Sequence, residues 1–203
     1  MSRTPTSRQL WRLPNLLGLA RIALTPVVVG LVLAGFPGSG LIAWAVFVVA
    51  ALTDVIDGRV ARARGEVSNL GVFLDLTADK VLVAAVLITM VQVQLVPAWM
   101  VAVILVRDLV VGGVRQAAAS EQVVLSARGL GKAKTVTTLV AIGVLLLAFD
   151  AQTGGPVVGL GWGSMAQVIG GWLMFAAVPL ALVSGLGYLR SAWPLLLGSD
   201  RPT

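Results

Sequence analysis

Residues 41–60 read LIAWAVFVVAALTDVIDGRV, and residues 70–94 read LGVFLDLTADKVLVAAVLITMVQVQ. Both runs are the length of a bilayer-crossing helix, which needs about 20 mostly apolar residues. Yet each carries two aspartates near one end, Asp54 and Asp57 in the first and Asp75 and Asp79 in the second. A charge at the bilayer centre costs on the order of 3 kcal/mol on insertion scales. Acids persist in such runs when they are paired, hydrated or bound to a cation. These two stretches therefore decide the fold class and point to the site.

Working outward, four more apolar runs complete a set of six spans, at 16–35, 40–60, 70–94, 97–117, 134–150 and 164–189. Turn chemistry separates them: Gly35-Phe36-Pro37-Gly38, Val96-Pro97, and Gln152-Thr153-Gly154-Gly155-Pro156. The chain is 58% hydrophobic and 12% charged, with a mean hydropathy of +0.95. A soluble domain carries roughly 45–50% apolar and about 25% charged residues, so a soluble enzyme and a disordered chain are both excluded. The expectation is an all-α integral membrane protein forming one domain over 1–203.

Basic residues set the sides. Arg3, Arg8 and Arg12 precede the first span; Arg59, Arg62 and Arg64 end the second. Arg115, Arg128, Lys132 and Lys134 lie between the fourth and fifth, and Arg190 and Arg201 follow the sixth. The three loops on the other side contain no Lys or Arg. The positive-inside rule then predicts cytoplasmic termini in a multi-pass protein of the cell membrane. The first span is too long for a signal peptide, and no small-residue cleavage site follows it. Segment 1–15 reads as interfacial: residues 5–13 are expected to form a short helix with Leu10, Trp11 and Leu13 toward lipid, or else a basic tail. The net charge of +6 is read as orientation and attraction to anionic headgroups rather than as nucleic-acid binding.

The chain has no histidine or cysteine. Zinc fingers, thiolate nucleophiles and histidine bases are excluded. Asp54 and Asp57 are three residues apart, and Asp75 and Asp79 four. At about 100° per residue, each pair shares a helix face. The two spans are expected to be antiparallel neighbours joined by Arg64 to Asn69, which would bring both pairs to one depth. Four clustered carboxylates repel one another. A cation relieves that repulsion, and oxygen-only ligands suit Mg²⁺, Mn²⁺ or Ca²⁺. The blander reading is salt bridging to Arg59, Arg62 and Lys80.

The same stretch reads Asp54-x2-Asp57-Gly58-x2-Ala61-Arg62-x8-Gly71-x3-Asp75-x3-Asp79. This resembles the signature of the CDP-alcohol phosphotransferase family at all eight specified positions, and the six-span layout is similar over the whole chain. The resemblance implies transfer of a phosphatidyl-type group from a CDP-linked lipid to an alcohol, with release of CMP. It implies that Asp54, Asp57, Asp75 and Asp79 bind one or two ions, Mg²⁺ or Mn²⁺, and that Asp79 is also the base. Asp54, Gly58, Ala61, Arg62 and Gly71 would line the CDP-lipid site. Gly58 and Gly71 have a second reading as close helix-packing positions, Ala61 as an ordinary helix residue, and Arg62 as an orientation charge. The family also implies a homodimer.

The acceptor is read from cations outside the signature. Arg107 lies inside the fourth span, followed by Asp108, with Arg115 two turns on. Gly131-Lys132-Ala133-Lys134-Thr135 opens the fifth. Together with Pro14-Asn15-Leu16-Leu17, Arg21 and Lys80, this set resembles the bacterial phosphatidylglycerolphosphate synthase branch. That branch uses CDP-diacylglycerol and glycerol 3-phosphate. Gly18 and Leu76-Thr77 depart from its usual Thr and Pro-Val. Arg107, Arg115, Lys132 and Lys134 are thus the expected acceptor-phosphate residues; their other readings are a salt bridge to Asp108, snorkelling, and positive-inside charge. Inositol phosphate, phosphatidylglycerol and serine remain as acceptors within the family. Outside it stand a cation transporter using the four carboxylates and a scaffold for anionic lipid. An intramembrane protease lacks its Ser–His dyad or Gly-Asp motif.

Overall fold

The computed structural model describes residues 13–64, 69–120 and 129–196; for 13–15, 17, 54–64, 69–76, 120 and 194–196 it describes the backbone alone. Among the described residues the fold is all-helical. In chain order the helices are α1 (Leu13–Ala34), α2 (Ser39–Arg64), α3 (Asn69–Gln92), α4 (Ala98–Ser120), α5 (Gly129–Gln152) and α6 (Gly163–Leu196), with a short 3-10 turn at Pro156–Leu160. Each helix matches one expected span and overruns it at one end or both, except that α1 stops one residue early, α3 two residues early, and α4 starts one residue late. The largest additions are at the ends of α5 and α6 that carry basic residues. Backbone hydrogen bonding can continue there after the apolar run stops, because side chains such as Lys132 and Arg190 are polar enough to leave the hydrocarbon. The expected interfacial helix at residues 5–13 lies outside the described ones except for Leu13, which opens α1.

The shortest helix, α1, has 22 residues. At 1.5 Å per residue that is about 33 Å, against a hydrocarbon thickness of about 30 Å. Segments 129–152 and 163–193 are both long and apolar enough to cross a membrane, and the stretches of α1 and α2 whose side chains are described, 18–34 and 39–53, are apolar too. The apolar run of α4 is interrupted by Arg107, Asp108 and Arg115.

Helices α5 and α6 share the most extensive interface, and α4 flanks α6. Small residues allow the close approach. A β-carbon on Gly170 of α6 would come within 2.7 Å of Leu145 Cγ on α5. Small-residue packing of this kind gains dispersion contacts where lipid supplies no hydrophobic drive. On the other side of the molecule, α1 packs against both α2 and α3. The expected pairing of α2 with α3 falls mainly on 54–64 and 69–76, whose side chains lie outside the description; the two helices do touch each other, slightly, among the described residues. The buried core runs through all six helices and includes Val28, Phe47, Leu87, Ile104, Leu145 and Met174. Many large apolar side chains face outward instead, as a lipid-facing surface requires. Trp99 and Trp162 are exposed beside the loops at the end opposite the aspartates, where indole rings favour the membrane–water boundary.

That end is tied by a residue the sequence reading passed over. Asp150, on the last turn of α5, is fully buried. Its Oδ1 accepts the Leu41 N–H at 2.9 Å, and its Oδ2 accepts the Val157 N–H at 3.0 Å. It therefore caps the first turn of α2 and the 3-10 turn together, and its negative charge faces the positive end of the α2 dipole. A side chain at Gly40 or Gly155 would collide with Asp150, so both glycines make room for the cap. Asp150→Ala leaves two peptide donors without an acceptor, at about 1–3 kcal/mol each. Thermal unfolding in detergent should rank wild type above Asp150→Asn and Asp150→Asn above Asp150→Ala. An alanine variant melting with wild type would contradict the cap.

Candidate active site

The signature residues lie on continuous helix. Asp54, Asp57, Gly58, Ala61 and Arg62 occupy the last three turns of α2, and Gly71, Asp75 and Asp79 the first three of α3. Helical backbone keeps each aspartate pair one turn apart on its own helix. Of these residues only Asp79 has a described side chain; those of Asp54, Asp57, Gly58, Ala61, Arg62, Gly71 and Asp75 lie outside the description. Asp79 is half-buried and close enough to Lys134 to act on it electrostatically. The end of the signature thus meets the start of α5, far along the chain.

Arg21 marks the other edge. It is 2% exposed on α1, and its Nε donates to the Ala50 carbonyl at 3.3 Å. In an α-helix that carbonyl is also the acceptor for the peptide N–H of Asp54. A guanidinium from α1 is therefore held at the level of the first signature aspartate. Lys80, directly after Asp79, reaches across to α4, where its ammonium lies against the α-carbon of Gly112. Any side chain at Gly112 would displace it.

Within electrostatic reach of Asp79 stands a compact network of charge. Arg107 Nη1 donates to Asp108 Oδ1 at 3.0 Å, and Lys134 Nζ donates to Asp108 Oδ2 at 2.6 Å. Arg107 Nη2 donates to the Ser184 hydroxyl at 2.9 Å. The Arg107 guanidinium also lies over the Tyr188 ring, 5.7 Å from its centroid, within cation–π range. Glycines admit this packing: a β-carbon at Gly185 would sit 3.0 Å from Arg107 Cγ, and one at Gly131 3.5 Å from Arg107 Nη2. Lys134 is the most enclosed member, its side chain 3% exposed. A cleft of about 260 Å³ opens next to the network, lined by Leu130, Val183, Ser184, Leu186, Gly187 and Arg190.

Of the four cations expected to bind the acceptor, the structure brings together Arg107 and Lys134. Arg115 and Lys132 are exposed, whereas Lys134 is buried and Arg107 half-buried. Helical geometry is the reason: Lys132 and Lys134 are two residues apart, about 200° around the helix, and Arg115 lies about 12 Å along α4 from Arg107. Ser184 and Tyr188 were not read from the sequence. Their signal was available, since they are the polar side chains in the apolar run from Trp172 to Leu189 and they are spaced by one helical turn.

Comparison with known proteins places this geometry in context. The CDP-alcohol phosphatidyltransferase family model matches residues 11–183. The chain is 36% identical over 206 residues to a CDP-diacylglycerol–glycerol-3-phosphate 3-phosphatidyltransferase of Bacillus subtilis, covering 94% of this chain and all of the relative. It is 34% identical over 186 residues to a probable phosphatidylglycerophosphate synthase of Mycobacterium tuberculosis, covering 89% of this chain and 81% of the relative. A cardiolipin synthase (CMP-forming) of Oryza sativa is 29% identical over 207 residues, 95% of this chain and 61% of the relative. With a signature complete at every specified position and a family match across most of its length, the chain belongs to the CDP-alcohol phosphatidyltransferase family.

Proposed function

We propose that this protein transfers the phosphatidyl group of CDP-diacylglycerol to glycerol 3-phosphate, releasing CMP and forming phosphatidylglycerol phosphate. The observation that carries this reading is the pairing of Arg107 and Lys134 on Asp108, within electrostatic reach of Asp79. Two such cations suit an acceptor that is itself a phosphate ester. The relatives named for glycerol 3-phosphate transfer, similar over most of their length, point the same way.

Asp54, Asp57, Asp75 and Asp79 would hold one or two divalent cations, Mg²⁺ or Mn²⁺. The donor set fits: it is oxygen-only, in a chain without histidine or cysteine, and hard cations prefer such ligands. When bound, such an ion neutralises diphosphate charge. Arg62, with room left by Gly58, Ala61 and Gly71, would bind the CDP moiety over α2 and α3. Arg107 and Lys134 would orient the acceptor phosphate, leaving its hydroxyl at Asp79. Asp79 takes the hydroxyl proton. The freed oxygen attacks the phosphorus that bears diacylglycerol, the bond from that phosphorus to the bridging oxygen breaks, and CMP leaves with the electron pair. A carboxylate is the available base, since the chain has no imidazole or thiol.

In this reading all six helices span the cell membrane, both termini and the reaction cleft face the cytoplasm, and the protein works as a homodimer. The charge asymmetry of the loops supports the orientation. Because the chain is free of cysteine, single substitutions report topology cleanly. Thr153→Cys should react with an impermeant maleimide added outside intact cells, and Ser126→Cys only after permeabilisation; the reverse pattern would invert the orientation.

The activity is tested with purified protein, CDP-diacylglycerol, and Mg²⁺ or Mn²⁺. Glycerol 3-phosphate, inositol phosphate, phosphatidylglycerol and serine are supplied in turn while CMP release is followed. Glycerol 3-phosphate should be used best, and chelation with EDTA should abolish turnover. Ion flux in proteoliposomes without CMP release would instead mark a transporter. Asp79→Asn should lower turnover by about 10²–10⁴ and leave nucleotide binding largely intact; loss of both would remove the base assignment. Arg107→Ala and Lys134→Ala should each raise the acceptor KM about tenfold or more, as expected for lost charged hydrogen bonds, with a smaller effect on the donor KM.

A further inference from the structure

We propose that Asp108 is a positioning residue: it holds Arg107 and Lys134 as one preassembled receptor for the acceptor's phosphate, while Ser184 and Tyr188 fix the far side of Arg107. The inference rests on the glycerol 3-phosphate reading above and adds to it a residue that does not itself touch substrate. Its basis is the way the network divides its donors.

Asp108 spends one oxygen on each cation, Oδ1 on Arg107 Nη1 and Oδ2 on Lys134 Nζ. Without that carboxylate, two enclosed positive charges would face each other in a poorly hydrated setting and repel. With it, their separation is set by one rigid group. The other side of Arg107 is held by Ser184 and by the Tyr188 ring, both from α6. The guanidinium is therefore gripped from two helices, α4 and α6, and the ammonium comes from a third, α5.

The grip leaves binding capacity over. A guanidinium has five N–H donors and an ammonium three. Arg107 commits one N–H of Nη1 to Asp108 and one of Nη2 to Ser184, which leaves the second N–H of each; its Nε is buried and is not counted. Lys134 commits one N–H to Asp108. The trio keeps a net positive charge, two cations against one carboxylate. A tetrahedral anion can thus be bound by the remaining donors without displacing Asp108. The opposing arrangement, in which Asp108 occupies the phosphate's own place and must be expelled, would make acceptor binding stronger once the carboxylate is removed. The two arrangements predict opposite signs.

The test uses the full chain in detergent, as wild type, Asp108→Asn, Asp108→Glu and Ser184→Ala. CMP release is measured with either substrate varied, with inorganic phosphate as a competitor of glycerol 3-phosphate. Stabilisation of the protein by inorganic phosphate in thermal unfolding gives a readout free of turnover. Asp108→Asn should raise the acceptor KM and the phosphate inhibition constant together, by about tenfold or more, because hydrogen bonds to charged groups are lost from a shared network. The donor KM and kcat at saturation should stay within about threefold. Asp108→Glu should recover part of the loss, and Ser184→Ala should shift the acceptor KM in the same direction by about threefold. An unchanged or lowered acceptor KM in Asp108→Asn overturns the proposal. If that variant does not fold, an unchanged acceptor KM in Ser184→Ala overturns it. If wild type releases CMP with a different acceptor, the glycerol 3-phosphate reading fails and the same comparison is made with that acceptor. If it releases none, the functional reading fails, and loss of phosphate stabilisation in Asp108→Asn still decides the positioning role.

Discussion

Charge inside an apolar slab must find a partner within the protein, and this constraint organises the whole molecule. Water cannot satisfy a buried ion or peptide group there, and several of the described ones are matched from another helix. Arg21 of α1 reaches the Ala50 carbonyl of α2. Asp150 of α5 caps α2 and the 3-10 turn. Asp108 of α4 takes Lys134 of α5 and its own neighbour Arg107, which in turn binds Ser184 of α6. These matches link helices that apolar packing alone would leave free to slide or rotate.

The matches fall at the two ends of the bundle and have different consequences. At one end, Asp150 makes two hydrogen bonds to the backbone and is shut in by Gly40 and Gly155. Each carboxylate oxygen there accepts a peptide N–H, which suits a fastener. At the other end, the Arg107 and Lys134 donors exceed what Asp108 and Ser184 accept. The surplus lies within electrostatic reach of Asp79 and beside an apolar cleft along α6. A ligand combining a phosphate with a hydroxyl could be held by the first and activated by the second. Binding energy is most useful when donors are fixed before the ligand arrives, and the three-helix grip on this pair supplies that fixing.

Much of this was legible beforehand because membrane insertion restricts the options. An apolar run of the right length must be helical, since its backbone has no other partner, and the six runs became six helices with ends shifted by a few residues. The aspartates at 54, 57, 75 and 79 stood out because acids are rare in such runs. The pattern was less informative about Lys132 and Arg115. A charge near a membrane boundary can serve orientation as well as binding, and only helix phase and distance separated these two from Lys134 and Arg107. Ser184, Tyr188 and Asp150 were passed over because single polar residues in a span acquire meaning only from what they face.

Fold class, the helical segments, the loop-charge asymmetry and the family signature follow from the order of residues alone, because each depends on local length, local polarity or fixed spacing. Which helices touch does not. That α1 lies against both α2 and α3, that α5 meets α6 most closely, and that Asp108 joins cations 27 residues apart in the chain were decided by tertiary packing. The physical reason is that small residues set how near two helices come, and buried charges set how they rotate. Both effects act between segments whose separation in sequence carries no information about their distance in space.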